Sequence, residues 1–481
     1  MRLAWFSPMP PVPSGVAVCS AGLVASLARE HEIDVFVDEP VVRVAPGTRS
    51  AHDFVWLHRS TPYDLTVFQL GNSSHHDYLW PYLFRYPGLA VLHDAHLHHA
   101  RAAALLRNRR AADYRAELAA SHPAEAPDLA ELAVGGFDSH LYYNWPMTSL
   151  IVRASRMTVV HAAQLATAIN DEIPGAGVEA VHLSHGELLT DAQVLEQRIR
   201  LRAARRIRAD AVLFGVFGTL TPEKRLPQVL AAFQALRPYS PNAHLLLAGA
   251  EAAHYDVRAD VRGRGLEKDV TFTGRLDTDA ELTACIAACD VSINLRWPTA
   301  REMSGPWLQA LAAGRATVIM DLAHLADVPS LDPRTWTPRP AGRGRPETIG
   351  GVRADAPDRE RDPGSAAPVP DAPVCVALDI MDEDHSLRLA MRRLAADAGL
   401  RTALGSAGRR YWEREHSITR MLGDYRRAIA SAAARPAPTV VLPSHLVSDG
   451  DRVLERVLDE MGVTPDIWKD LSRATPARGR L

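Results

Sequence analysis

Apolar runs of strand length recur along this chain, each followed by polar turn residues and then by apolar positions three or four apart. In the first half they fall at 3–6, 33–37, 65–70, 89–92, 157–160 and 180–183. In the second half they fall at 211–217, 244–248, 270–272, 291–295, 316–320 and 374–377. Runs that are apolar throughout, not at alternate positions, predict strands buried on both faces, and strands alternating with helices predict parallel sheets. Two such series, each of doubly wound size, predict an α/β protein of two facing Rossmann-like domains. The ligand cleft of such a pair lies at the carboxyl ends of both sets of strands.

The break falls in the polar, Arg-rich helical stretch 186–208, giving an N-terminal domain over 1–190 and a C-terminal domain over 209–410. Residues 332–371 are dense in Pro, Gly, Arg and Asp and predict a flexible inserted loop. Helical spacing resumes at Leu387 and runs to about residue 433, with 411–435 expected to cross back to the first domain. A tail over 436–481 carries one more helix, near 449–461.

At 481 residues the chain is too long for one ordinary core, and 47% hydrophobic with 23% charged residues is the balance of a soluble globular protein. A net charge of −3 provides no bulk field for nucleic acid. Four scattered cysteines have no framework spacing; Cys285 and Cys289, one helical turn apart, read as buried thiols. The opening apolar run is too short for a signal peptide and no stretch reaches membrane-span length, so the expectation is a cytoplasmic protein.

The segment 291–320 carries the most chemistry. A strand, Val291-Ser292-Ile293-Asn294-Leu295, leads into a polar loop from Arg296 to Glu302. Ser304-Gly305-Pro306 then opens a short apolar helix closed by Gly314. Ser304 suits an N-cap, Pro306 the first turn and Gly314 the left-handed C′ position. Unpaired N–H groups at a helix start favour phosphate, and Glu302 beside them is suited to accept hydroxyl groups; together they suggest a nucleotide sugar. The second domain opens the same way: strand 212–217, Gly218, Thr219, then Thr221-Pro222-Glu223-Lys224-Arg225. Lys224 and Arg225 there are either a solvated pair or charge-assisted ligands of a diphosphate.

These segments resemble family 4 of the retaining glycosyltransferases, the group that includes glycogen synthase-like and sucrose synthase-like enzymes of glycosyltransferase B-type fold. In that family a Gly-Arg-x-x-x-x-Lys-Gly loop and a Glu-x7-Glu segment bind the donor nucleotide sugar. The resemblance spans about residues 1–430. Val270-Thr271-Phe272-Thr273-Gly274-Arg275 resembles the strand whose end receives the nucleobase, and Leu308-Gln309-Ala310-Leu311-Ala312-Ala313-Gly314 the family's Leu-Glu-Ala-Met-Ala-x-Gly. Thr219 stands where the family has Arg, and Gln309 stands where a Glu clasps the ribose. Arg301 occupies the strict register of the first Glu, so Glu302, one residue on, takes that role. Pro306 removes one N–H from the phosphate-facing turn.

In the first domain Pro10-Pro11-Val12-Pro13-Ser14-Gly15 resembles the family's N-terminal glycine loop, and His93, at the end of strand 89–92, its interdomain histidine. The resemblance implies a retaining transfer from a UDP- or GDP-linked sugar to a sugar, glycan or lipid-linked acceptor, with no metal and no other cofactor. His93, Glu302 and Lys224 are the implied catalytic residues. Gly15, Gly218, Thr219, Arg225, Gly274, Arg275, Ser304, Gly305 and Gln309 are the implied substrate ligands. His75, His76, His96, His98 and His99 fit no standard metal spacing. Trp80, Tyr82, Phe84 and Tyr86 alternate as on a strand and read as core. The basic amphipathic segment 97–118 is a candidate for peripheral contact with the inner face of a membrane. An epimerase or hydrolase of the same fold, or an inactive nucleotide-sugar-binding scaffold, are the competing readings.

Overall fold

The computed structural model describes residues 1–38, 48–137, 141–339 and 372–447, with 457 and 460–462. Its first sheet is built from β1 (Arg2–Phe6), β2 (Glu32–Val37), β3 (Thr48–Ser50), β4 (Leu65–Leu70), β5 (Leu89–Leu92), β6 (Met157–Val160) and β7 (Glu179–Ala180). The second is built from β8 (Val212–Phe217), β9 (Ala243–Ala248), β10 (Val270–Gly274), β11 (Val291–Asn294), β12 (Ala316–Met320), β13 (Ser330–Leu331) and β14 (Cys375–Leu378). Strand orders are β3-β2-β1-β4-β5-β6-β7 and β10-β9-β8-β11-β12-β14-β13, with every named pairing parallel. In each sheet the order reverses beside the first strand, between β1 and β4 and between β8 and β11. Loops leaving those neighbours diverge to opposite faces and open a crevice at the strands' carboxyl ends.

The central strands β4, β5, β6 and β8 are buried at every position, including the polar Thr66, Gln69 and Thr158. The run 180–183 behaves differently. The sheet ends at Ala180, after which Val181 N–H bonds to the Val160 carbonyl and Leu183 leaves to meet the C-terminal helices. The aromatic positions 80–86 form a helix, Leu79–Arg85, and not a strand; Trp80 and Phe84, one turn apart, are buried in the first core. The basic stretch 97–118 is two helices, His98–Arg107 and Ala111–Ser121, broken at Arg109 with φ +59°.

Among the described residues, two joints between the domains position the cleft. The N–H groups of Ala95 and His96 both donate to the carbonyl of Ala300, at 2.9 and 3.1 Å. The second joint is C-terminal. Helices Glu383–Ala396 and Ala398–Glu415 pack on the second domain, and Ile418–Ala434 returns to β4, β5 and β6 of the first. Trp412 Nε1 donates to the His185 carbonyl at 3.0 Å, and Asp424 accepts from both the backbone N–H (2.9 Å) and Nδ1 (2.6 Å) of His182. Tyr425, fully buried, stacks on Trp5 at 6.2 Å, so one apolar cluster runs from β1 through the return helix to Trp307 and Leu311. Within the segment read as an inserted loop, residues 332–339 are held in place: Trp336 N–H bonds the Asp332 carbonyl and Arg339 N–H the Ser330 carbonyl. Residues 340–371 and most of the expected tail helix lie outside the described residues.

The return helix generates a stability prediction. Tyr425→Ala removes a fully buried ring and should cost about 3–5 kcal/mol. Tyr425→Phe should stay close to the parent, because the hydroxyl's one bond, to Gln69, is long at 3.5 Å. Thermal unfolding followed by circular dichroism checks both; an alanine variant melting with the parent contradicts the packing described.

Candidate functional site

The crevice of the second sheet is shaped by two loops. After β8 the chain turns at Gly218 (φ +85°), makes one helical turn over Pro222–Lys224 and passes through Arg225 (φ +59°) into the helix Leu226–Leu236. After β11 the loop beginning at Arg296 crosses toward it, and Trp297 N–H donates to the Glu223 carbonyl at 2.8 Å. That bond brings Lys224 and Arg296 into the walls of one cavity, together with Glu302, Ser304 and Gly305. The cavity encloses about 780 Å³, counting the part open to solvent, which is the size of small-molecule sites.

Ser304 caps the helix Gly305–Ala312, its Oγ accepting from Trp307 N–H at 3.3 Å, and Gly314 closes it at φ +65°. Pro306 has no N–H, so Gly305 offers the remaining donor of that turn. A side chain at Gly305 would collide with the His185 ring at 2.8 Å, which is why glycine stands where the linker crosses the helix start. Burial, then the Arg296 charge, lowers the Lys224 ammonium to about pKa 7, against the pull of Glu302. A Cβ at Gly218 would lie 3.2 Å from Lys224 Nζ, so the glycine leaves the amino group its room. Glu302 is tied at both oxygens, to Arg296 Nε at 2.7 Å and to Thr299 Oγ1 at 2.9 Å.

Glu302 and Gly305 also line the adjoining pocket, whose other wall is the first domain: Ser14, Gly15, Asn72, His93 and Asp94. Gly15 opens the helix Gly15–Leu27, capped by Ser14, and space beside it is open. Asp94 accepts the Asn72 N–H at 2.7 Å, yet burial, then the Glu302 charge, raises its pKa to about 7. His93 Nε2 lies 2.7 Å from Gln69 Oε1 and its Nδ1 3.2 Å from His161 Nε2, while His161 Nδ1 lies 3.2 Å from the Val181 carbonyl. Carbonyl acceptors at both ends call for three N–H groups, and two neutral rings supply two. The shortfall is met by one extra proton, which burial opposes by lowering both rings' pKa, or by rotation of the Gln69 amide, whose Nε2 is buried without a partner.

Of the residues singled out in the sequence, Lys224, Glu302, Ser304 and Gly305 share one cavity, and Gly15 and His93 face Glu302 and Gly305 across the next. Five others are placed differently. Arg225 is bound to Glu383, its Nε 2.8 and 3.0 Å from the two carboxylate oxygens, so its charge is already matched. Thr219 is exposed and outside the cavity lining. Gln309 is buried beneath the linker, its Nε2 donating to His185 Nε2 at 3.1 Å. Arg275 is exposed at the end of β10 and pairs with Asp277; neither it nor Gly274 (φ +72°) lines the cavity.

The histidines at 76 and 98 have structural partners, the Gln69 carbonyl at 2.9 Å for one and the Tyr114 hydroxyl at 2.8 Å for the other. In the basic stretch Arg101 is buried against Glu117 and stacked on Trp80, Arg110 pairs with Asp113, and Arg115 with Glu131. Arg107 and Arg109 are its exposed remainder, so no continuous basic face exists there. No helix among the described residues is long and apolar enough to cross a membrane. Arg296, Asp94 and His161 went unassigned in the sequence. Their partners stand on distant segments, and only the His-Asp pair at a strand end was a local signal.

A family model described as glycosyl transferases group 1 matches residues 211–332, within the second domain. No curated protein sequence matches the chain significantly. Among solved structures, sucrose-phosphate synthase from Thermosynechococcus elongatus superposes with a TM-score of 0.56 at 15% identity, over 90% of this chain and 100% of its own. HepE from Anabaena, solved with UDP and glucose, gives 0.56 at 13%, over 90% and 100%. The catalytic domain of starch synthase IV from Arabidopsis thaliana, bound to ADP and acarbose, gives 0.55 at 11%, over 90% and 99%. At these identities the likeness establishes the fold, two Rossmann-like domains of the glycosyltransferase B type.

The lowered basicity of Lys224 is directly measurable because the chain has three lysines, Lys224, Lys268 and Lys469. Trace acetylation read by mass spectrometry should show Lys224 labelling that rises with pH and levels off above about pH 8, well below the range of an unperturbed amine of pKa about 10.4. A Lys224 rate still rising tenfold per unit at pH 9 contradicts the placement.

Proposed function

We propose that this chain is a nucleotide-sugar-dependent glycosyltransferase that retains anomeric configuration. The observation that carries the reading is the convergence of Lys224, Glu302 and the Gly305 helix start in one crevice that opens toward His93. A cation and a helix start suit a diphosphate, and a carboxylate one residue from the helix cap suits sugar hydroxyls. UDP and ADP in two structures of the same fold favour a nucleoside diphosphate as the group held, with UDP- and GDP-sugars the first donors to examine.

In this reading the bond from the anomeric carbon to the diphosphate oxygen breaks, and its electron pair leaves with the diphosphate. Lys224 and the Gly305 N–H stabilise that developing charge, in a crevice with few waters to compete. The acceptor oxygen then bonds the anomeric carbon on the face the leaving group departs, and its proton passes to a diphosphate oxygen. His93, held by Gln69 and His161, sits on the first-domain wall, where it would orient the sugar ring; Glu302 would fix the hydroxyls. No metal or other cofactor is part of this scheme. The acceptor, a sugar, glycan or lipid-linked sugar, would enter from the first-domain side, past Gly15. A cytoplasmic site of action fits a soluble donor. Peripheral membrane contact through 97–118 would rest on Arg107 and Arg109 alone.

A non-catalytic scaffold remains the second reading, favoured by Gln309 being covered by His185 and by the absence of charge at Thr219. The readings separate on transfer and hydrolysis. A thermal-shift screen against UDP, GDP, ADP and TDP and their sugars should raise the melting temperature for at least one. With the donor so identified, Lys224→Ala should lower turnover by roughly 100-fold while the protein still folds. Turnover near that of the parent removes the diphosphate assignment. Tight nucleotide binding with no transfer to any acceptor extract favours the scaffold, and donor consumed without acceptor favours a hydrolase or epimerase.

A further inference from the structure

The charges around the crevice do not balance for a nucleotide sugar if Lys224 is its one cation. Both phosphates of the donor are ionised, and the other basic candidates are unavailable: Arg225 is held by Glu383, and Thr219 carries no charge. Pro306 withholds an N–H from the same wall. Arg296, in contrast, lines the cavity with Lys224, carried there by the loop that Trp297 ties to Glu223. Its side chain is 41% exposed and uses Nε for Glu302, which leaves the rest of a five-donor planar fork toward the cavity. Its charge is close enough to Lys224 to depress that ammonium.

The same contact raises a difficulty for Glu302. With Arg296 on one oxygen and Thr299 on the other, the carboxylate has its strongest acceptor directions filled. It can take sugar hydroxyls only if one of those donors leaves. Thr299 is pinned, since its Oγ1 also accepts the Arg301 N–H at 2.9 Å. Arg296 is the one free to move.

We propose that Arg296 is the second cation for the donor diphosphate and that it works by exchange: it passes from its contact with Glu302 to the phosphates when donor binds. The exchange couples the two halves of recognition, because the sugar-binding carboxylate is released only once a diphosphate is in place. It deepens the donor reading above and rests on it. It also accounts for the missing arginine at Thr219, since the charge reaches the same crevice from the opposite loop.

The test uses the full-length chain and titration calorimetry with UDP, GDP and ADP. Arg296→Ala should weaken the nucleoside diphosphate that the parent binds by at least about tenfold, and Arg296→Lys by less, a point charge being a poorer match for phosphate than a fork. Glu302→Gln should tighten the same diphosphate, because Arg296 is then released from the outset. In the double variant Arg296→Ala, Glu302→Gln that gain should largely vanish, a non-additivity that simple removal of a negative charge does not produce. Circular dichroism confirms that each variant folds, and the double variant leaves neither member of the Arg296–Glu302 pair without its partner. If Arg296→Ala binds as the parent does while Lys224→Ala does not, or if the Glu302→Gln gain survives intact in the double variant, the exchange is wrong and the donor reading stands. If the parent binds none of the nucleotides, the donor reading falls first.

Discussion

One carbonyl oxygen, that of Ala300, receives two amides from the opposite domain, and the geometry of the crevice follows from it. Ala95 and His96 come directly after His93 and Asp94, and Ala300 lies between Thr299 and Glu302. Fastening these two backbones sets a strand end of the first sheet against the switch-point loop of the second. Because the fastening is between main-chain groups, it places the side chains around it without depending on their identity. The C-terminal helix Ile418–Ala434 supports the same register from behind, through Tyr425 on Trp5 and Asp424 on His182. The burial that raises Asp94 and lowers His93 is a consequence of this closure.

The chemistry of the crevice is a matter of charges kept close and nearly neutral. Two cations, Lys224 and Arg296, stand with two carboxyl groups, Glu302 and Asp94, and of the four Lys224 and Asp94 are deeply buried. There each charge is felt strongly and each is partly cancelled by its neighbour. No charge there is left without an opposite neighbour. In the proposed donor reading, a diphosphate would favour a protonated Lys224 and compete with Glu302 for Arg296.

The fold was legible in the sequence because its strands are buried on both faces, which leaves unbroken apolar runs such as 89–92 and 212–217. Local capping signals were legible too, Ser304 and Gly314 above all. The short edge strands Thr48–Ser50 and Ser330–Leu331 left no such run, and the alternation of aromatics at 80–86 fits a helix as well as a strand, because Trp80 and Phe84 are also one turn apart. Least legible were partners far apart in the chain. Arg225 is claimed by Glu383, Gln309 by His185, and His93 is backed by His161. A motif reveals which residue types stand near a crevice, whereas long-range partners decide which of them remain available to a ligand. Arg296 shows the converse, a cation outside both the glycine-lysine loop and the Glu-x7-Glu segment, in a loop tied by a backbone bond.

Hydrogen exchange on the intact chain, with and without saturating nucleoside diphosphate, tests the central claim most directly. The account predicts that amides over 218–225 and over 296–306 slow together, since both loops grip the same group. Slowing in one loop alone, or elsewhere with neither loop changed, would contradict it.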